Sequence, residues 1–228
     1  MAIKVIAFDA DDTLWVNEPY FRETEDQFCS LLEDYLPHHN IMQELFKTEM
    51  DNLSLYGYGI KGFMLSMIET ALRVTSNKLD QSILQKIIAL GKDMLEKPIE
   101  LLDGVEEVLQ QLQGKYKLVV ATKGDLLDQE RKLKKSGIDH YFHHIEIMSD
   151  KQEADFAKLI KHLDIRPDEF LILGNSLKSD VLPVLAIGGH GVHIPYHITW
   201  EHEKTDVQID APNFKQIKNI KDILAYLL

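Results

Sequence analysis

A single cysteine, Cys29, is all the thiol chemistry this 228-residue chain carries. One cysteine closes no internal disulfide and builds no cysteine metal cluster, so the composition fits a reducing compartment. Cys29 lies in a helical pattern, where packing accounts for it. Basic residues are in deficit as well: 25 Lys+Arg against 37 Asp+Glu leave a net charge of −12 and an isoelectric point near 5.2. That balance disfavours a nucleic-acid binder, while a local cationic pocket for one small anion stays open. The chain lacks any apolar run near the roughly 18 residues of a membrane helix. It also lacks a basic segment followed by a signal-type apolar run at the amino terminus. A cytoplasmic protein with no membrane partner is expected. Internal repeats and low-complexity runs are missing too. What is present is a 45% apolar fraction, which excludes a disordered chain, and enough length for a sizeable core, as one domain or as one carrying an insertion.

The chain is organised around Val5-Ile6-Ala7-Phe8-Asp9-Ala10-Asp11-Asp12-Thr13-Leu14. Lys4 to Phe8 is mostly apolar with β-branched members and reads as a buried strand of a parallel sheet. It stops at three carboxylates within four positions. In open α/β sheets ligands sit beyond the carboxyl ends of the strands, so Asp9 and Asp11 are expected to project into the reactive crevice. Two like charges roughly 4 Å apart repel by about 4 kcal/mol at an effective dielectric of about 20, which calls for a cation, a proton or a wide separation. A divalent metal is the simplest relief. Taken alone, Asp9 to Thr13 also reads as an acidic turn capping a following helix.

After Leu14 the pattern is helical. Helices are predicted over Glu18–Leu36, Ile41–Leu55, Ile60–Val74 and Leu79–Leu95, with no strand signal between them. Four successive helices exceed the usual βα connection, which favours an inserted all-helical domain over a helical layer on the sheet. The expected division is 17–98 for the insertion and 1–16 with 99–228 for the core. From Gly104 the chain alternates: helix Val105–Leu112, strand Tyr116–Ala121, helix Leu126–Ser136 closed by Gly137, and strand Phe142–Met148. A helix opening at Ser149-Asp150-Lys151, strand Phe170–Leu173, a helix through Ile187 and strand His190–Ile194 follow. The tail is read as an edge strand at Val207–Ile209 and a closing helix from Phe214 to Leu228. This alternation implies a parallel sheet covered on both faces.

Four strands thus end in polar groups: Asp9/Asp11, Thr122, Lys151 and Asn175/Asp180. Singly, Thr122 reads as a turn residue, Lys151 as a solvated first-turn lysine and Asp180 as a helix-surface residue. Together they resemble the haloacid dehalogenase (HAD) superfamily of phosphohydrolases, in a form similar to phosphoglycolate phosphatases. Phe-Asp-Ala-Asp-Asp-Thr-Leu at 8–14 is similar to the family's first motif, Thr122 to its second, Lys151 to its third and Gly174 to Asp180 to its fourth. The helical block falls where that family places a mobile cap, and the likeness implies a Rossmann-like core.

The resemblance implies a magnesium-dependent phosphoric monoester hydrolase. Asp9 would be the nucleophile that forms an aspartyl-phosphate, and Asp11 the acid that protonates the leaving oxygen and later the base that takes a proton from water. Thr122 would hydrogen-bond the phosphoryl oxygens and Lys151 would offset their charge. Mg2+ would sit between Asp9, the backbone carbonyl of Asp11 and the fourth motif, through Asn175 and Asp180. The family's fourth motif commonly reads Gly-Asp; here Gly174-Asn175 supplies an amide oxygen without charge. Dehalogenases proper need no acid/base two residues after the nucleophile, so Asp11 argues for phosphate chemistry on a small phosphorylated metabolite. A phosphomutase keeps the same groups, and a non-catalytic phosphate-binding protein is the alternative from another class. Lys123, next to Thr122, is a further phosphate-binding candidate. In the helical block Gly57, Gly59 and Gly62 read as a turn between helices, with Tyr56, Tyr58, Lys61 and Arg22 as candidates for substrate selection. His190, His193, His197 and His202 lack usual zinc spacings and read as structural, as do His143 and His144. Oligomeric state is not legible.

Overall fold

The computed structural model describes residues 3–227, which fall into two compact units. One comprises 3–18, 99–123 and 129–227; the other comprises Pro19–Pro98 with Gly124–Asp128.

The first unit is built on a six-stranded sheet: β1 Val5–Phe8, β2 Lys117–Lys123, β3 His144–Met148, β4 Phe170–Gly174, β5 His190–His193 and β6 Phe214–Gln216. Their order is β3-β2-β1-β4-β5-β6, with every neighbouring pair parallel. All four residues of β1 are fully buried because side chains alternate across a sheet that is covered on both sides. Ile6 and Phe8 join a core with Val105, Val108, Leu109 and Leu112, whereas Val5 and Ala7 join Phe156, Leu159 and Ile160 in a second core. The strand order reverses direction at β1, between β2 and β4, which opens the crevice of a doubly wound fold at the carboxyl end of β1. Phe8 is in register with Val120 and Leu173, so one residue further Asp9 stands level with the last residue of β4, Gly174, while β2 runs on to Lys123. The fold is the α/β, Rossmann-like parallel sheet expected from the strand–helix alternation.

The covering helices, numbered along the whole chain after the four of the second unit, are α5 Val105–Leu112, α6 Leu126–Ser136 (from Gln129 onward), α7 Glu153–His162, α8 Leu182–Ala186 and α9 Asp222–Leu227. The second unit contains α1 Glu18–Leu32 (from Pro19 onward), α2 His38–Tyr56, α3 Ile60–Val74 and α4 Gln81–Glu96. Phe28, Leu32, Ile41, Leu45, Phe63, Met67 and Ile87 form its core. Cys29 is packed there too, and burial pushes its thiol up to about 12.

Several boundaries differ from the sequence reading. The first helix ends at Leu32 rather than Leu36. The helix expected to open at Ser149 starts at Glu153, which leaves Lys151 in a loop. After β4 a π-helical turn, Leu177–Val181, precedes the short α8, so the expected continuous helix is broken. The tail is the main correction. No strand forms at Val207–Ile209, where Val207 is exposed. The strand is Phe214–Gln216, where a helix had been expected, because Gly191 N donates to Asn213 O and Ile217 N to His193 O. Ile217 and Ile220 then enter the core, and Asp222, accepting from the Asn219 N–H, opens a helix shorter than predicted.

Candidate active site

Asp9 follows the last residue of β1, and its backbone N–H donates to Leu173 O on β4 at 2.8 Å. Its carboxylate meets Lys151, from a distant part of the chain, and Thr13, four residues on. Lys151 Nζ donates to Asp9 Oδ1 at 2.5 Å and to Asp180 Oδ1 at 2.6 Å. The Thr13 hydroxyl lies 3.1 Å from Asp9 Oδ2 and 3.3 Å from Asn175 Oδ1, and it accepts from the Asn175 N–H at 3.0 Å. One hydroxyl proton serves one of those two acceptors at a time, so one oxygen is always left with spare capacity. The Lys151 and Asp180 side chains are each 1% exposed, so neither is the surface residue that local reading allowed.

Burial pushes the Asp9 carboxyl up to about 7, aided by the Asp180 charge and opposed by Lys151. Burial works against the Lys151 charge too, yet Asp180 and Asp9 outweigh it and hold the ammonium above the usual lysine range. Asp180 is further fixed by the Ser176 N–H at 3.0 Å. Gly174 is required beside it: a Cβ there would lie 2.1 Å from Asp180 Oδ2.

Asp11 is held by a different set. Trp15 Nε1 at 2.7 Å and Lys132 Nζ at 2.9 Å donate to its Oδ1, and Gln129 Nε2 donates to Oδ2 at 2.9 Å. Burial would raise this carboxyl, but Lys132, Gln129 and Trp15 together hold it below the usual carboxylate range. Gln129 Nε2 also reaches Thr122 Oγ1 at 3.1 Å and Lys123 O at 2.9 Å. Asp12, in the left-handed region at φ 61°, turns the other way and accepts from the backbone N–H groups of Asn17 and Glu18. Burial raises its carboxyl to about 7 against those hydrogen bonds.

Lys123 is the residue expected to approach a phosphate; its ammonium pairs with Glu203 and donates to Ser179 Oγ at 2.9 Å. Glu203 also accepts from the hydroxyls of Ser176 and Ser179, both at 2.6 Å. Burial is again opposed, here by Lys123 and the two serines, and the Glu203 carboxyl is held down at about 2. Gln129, Lys132, Glu203, Ser176 and Ser179 were missed in the sequence. The only signal for the first two is their spacing of three, which puts them on one face of the helix that follows Thr122.

In the second unit Gly57 and Gly59, at φ 70° and 110°, form the turn between α2 and α3, while Gly62 lies inside α3. Lys61 Nζ pairs with Asp125 at 2.9 Å, Tyr56 Oη donates to Glu69 at 2.7 Å and Arg22 pairs with Glu25.

Residues 3–188 match a family model described as haloacid dehalogenase-like hydrolase. The chain belongs to that family. A haloacid dehalogenase-like family hydrolase from Xanthomonas campestris has a similar structure, with a TM-score of 0.89 and 37% identity over 99% of this chain and 92% of that one. A protein from Haemophilus somnus described as a predicted phosphoglycolate phosphatase shares the fold, with a TM-score of 0.65 and 20% identity over 99% and 98% of the two chains. The glyceraldehyde 3-phosphate phosphatase of Methanopyrus kandleri is 24% identical over 187 residues, 78% of each chain.

The donors of this HAD-like hydrolase are hard oxygens: Asp9, Asp180, the Asn175 amide oxygen and the backbone carbonyl of Asp11. Among the described residues no three His, Cys, Asp or Glu side chains form a group that could hold a metal. A divalent cation would therefore draw on the Asn175 amide, a backbone carbonyl and water as well as carboxylates. That composition fits magnesium, which keeps several waters and takes one or two carboxylates. Of the histidines, His193 has its Nε2 3.0 Å from Asn175 O, and His202 packs at a tilt against Trp200. No helix among the described residues is long and apolar enough to cross a membrane.

Proposed function

We propose that the chain is a magnesium-dependent phosphatase of a small phosphorylated metabolite, working through an aspartyl-phosphate on Asp9. The observation that supports this most is the Asp9–Lys151–Asp180 cluster at the carboxyl end of the central strand, with the Asp11 carboxyl two residues on. In this reading an Asp9 carboxylate oxygen attacks phosphorus and the bond to the leaving oxygen breaks. Asp11, which Lys132, Gln129 and Trp15 hold ionised in the free protein, has to take up a proton as the substrate arrives; it hands that proton to the leaving oxygen, then removes one from the water that cleaves the acyl phosphate. Lys151 offsets charge on Asp9 and the phosphoryl oxygens, and the Thr122 hydroxyl orients them. Lys123 would join the phosphate-binding set only by exchanging Glu203 for the substrate. Asp9, Asp180, Asn175 and the Asp11 carbonyl would hold magnesium, which supplies positive charge against the phosphoryl oxygens when bound.

The helical unit, 17–98 in the sequence reading, takes the role of a cap that selects the substrate. A glyceraldehyde 3-phosphate phosphatase and a protein described as a predicted phosphoglycolate phosphatase among the similar proteins point to short phosphorylated carbon chains as the first compounds to try.

The test is phosphate release from a panel of such compounds and an aryl phosphate, with magnesium and with chelator. Chelator-sensitive release is expected, with a loss of more than about 10³-fold in Asp9→Asn. No release by folded wild-type protein at saturating magnesium, or release that survives Asp9→Asn, overturns the reading.

A further inference from the structure

Two side chains one turn apart on α6, Gln129 and Lys132, converge on Asp11, and no role has been assigned to either. The Gln129 amide has a fixed orientation: Asp11 Oδ2 and Lys123 O only accept hydrogen bonds, so the group facing them is the NH2. The Gln129 oxygen is left buried without a hydrogen-bond partner among the described residues. A side chain that satisfies its neighbours while leaving its own acceptor unpaired is selected for what it holds rather than for its own stability. Lys132 Nζ is likewise shared, donating to Asp11 Oδ1 at 2.9 Å and Asn17 Oδ1 at 2.8 Å. Trp15 Nε1 closes the same oxygen from a fully buried ring.

The functional content lies in what Gln129 connects. Its NH2, two hydrogens for three acceptors, lies between Asp11 Oδ2 and Lys123 O, each at 2.9 Å, and Thr122 Oγ1 at 3.1 Å. In the proposed reaction Thr122 orients the phosphoryl group and Asp11 serves the leaving oxygen, which is one bond away from phosphorus. Proton transfer requires the donor within hydrogen-bond reach of that oxygen, so the spacing between these two groups has to be fixed. A carboxyl on a turn that is followed by a left-handed residue, Asp12, does not fix itself. We propose that Gln129 and Lys132 are positioning residues that hold the Asp11 carboxyl at one place relative to Thr122, and that they act on departure of the leaving group. This rests on the phosphatase reading.

The test is the dependence of kcat/KM on the leaving group, measured with magnesium on 4-nitrophenyl, phenyl and 4-methoxyphenyl phosphate. This ratio covers only steps up to the first irreversible one, so the later hydrolysis of the acyl phosphate, common to all three, does not enter. A nitrophenolate departs with little help from a proton, whereas the poorer leaving groups need one. Lys132→Met keeps the apolar stem of the side chain, and Gln129→Met keeps its length. Each variant is expected to lose about 10²-fold on the methoxyphenyl ester, within the range of general acid catalysis, and several-fold less on the nitrophenyl ester. Lys132→Arg, which can still donate to both oxygens, should restore the shallow dependence. Equal losses on all three esters in both variants, or no loss, overturn the positioning role while leaving the phosphatase reading intact. Failure of the folded wild type with magnesium to release phosphate from the three esters and from every compound of the metabolite panel overturns both.

Discussion

Replacing Glu203 by Gln removes one charge and keeps a side chain of the same length, which isolates what that charge does for the core. Its carboxylate is 11% exposed, pairs with Lys123 and accepts from Ser176 and Ser179. These partners hold it at about 2 against an ordinary value of 4.5. At about 1.4 kcal/mol for each pKa unit, that difference corresponds to about 3 kcal/mol of folding stability. The folded value is depressed, so the contribution is complete above 4.5 and is lost as pH falls from 4.5 through 2. Both tryptophans, Trp15 and Trp200, lie in the sheet-containing unit, so their fluorescence follows unfolding of that unit in urea without reporting on the helical one. Wild type and Glu203→Gln should differ by about 3 kcal/mol at neutral pH, and the gap should narrow by about 1.4 kcal/mol for each pH unit below 4.5. A gap under about 1 kcal/mol at pH 7 would place this pair with ordinary surface ion pairs. A gap unchanged at pH 3.5 would show that something other than ionisation of Glu203 is lost, and either result refutes the reasoning.

Gly174→Ala places a methyl 2.1 Å from Asp180 Oδ2 and 2.3 Å from its Cγ, so the Asp180 carboxylate must leave Lys151. Overpacking of this kind costs about 1–3 kcal/mol, and unfolding in urea should show it together with weaker magnesium activation. Asn175→Asp adds a charge to the proposed magnesium site and should lower the half-saturating magnesium concentration by about tenfold, less than the full Coulomb gain because Asp9 and Asp180 repel the new carboxylate. An unchanged magnesium dependence would remove Asn175 from the ligand set.

The sheet was legible because its strands, β1 above all, are uninterrupted apolar runs, and their ends were legible because Asp9 and Gly174 stop those runs abruptly. The tail was not. Val207–Ile209 carries the better β-forming residues but is exposed, while Phe214–Gln216 pairs with β5 because Ile217 and Ile220 bury themselves in the core beyond it. Local propensity lost there to burial that only the folded chain reveals. The same limit applies to the side chains around the site. Asp9, Asp11, Lys151 and Asp180 could be singled out because each follows the end of a strand. Glu203 comes from a single 3-10 turn, Glu201–Glu203, after β5, and nothing in its neighbourhood of the sequence pairs it with Lys123.

Charge accounting within the sheet-containing unit separates the three ionic groups near the strand ends. Asp11 pairs with Lys132, and Glu203 pairs with Lys123. Asp9 and Asp180 both pair with Lys151, so with both ionised these three side chains carry a net negative charge of one. The imbalance appears in Asp9, whose carboxyl is pushed up to about 7 by burial and by Asp180 even with the lysine in contact. Asn175 in place of an acid keeps the deficit at one charge instead of two. A cluster short of one positive charge, lined by hard oxygen donors, calls for a cation in a way the two balanced pairs do not. A divalent ion there overshoots by one, and the anionic phosphoryl group of a substrate is what would bring the cluster back toward neutrality. On this account magnesium and the phosphorylated substrate each improve the site for the other, which is the coupling expected of a phosphoryl-transfer centre rather than of a passive phosphate-binding one.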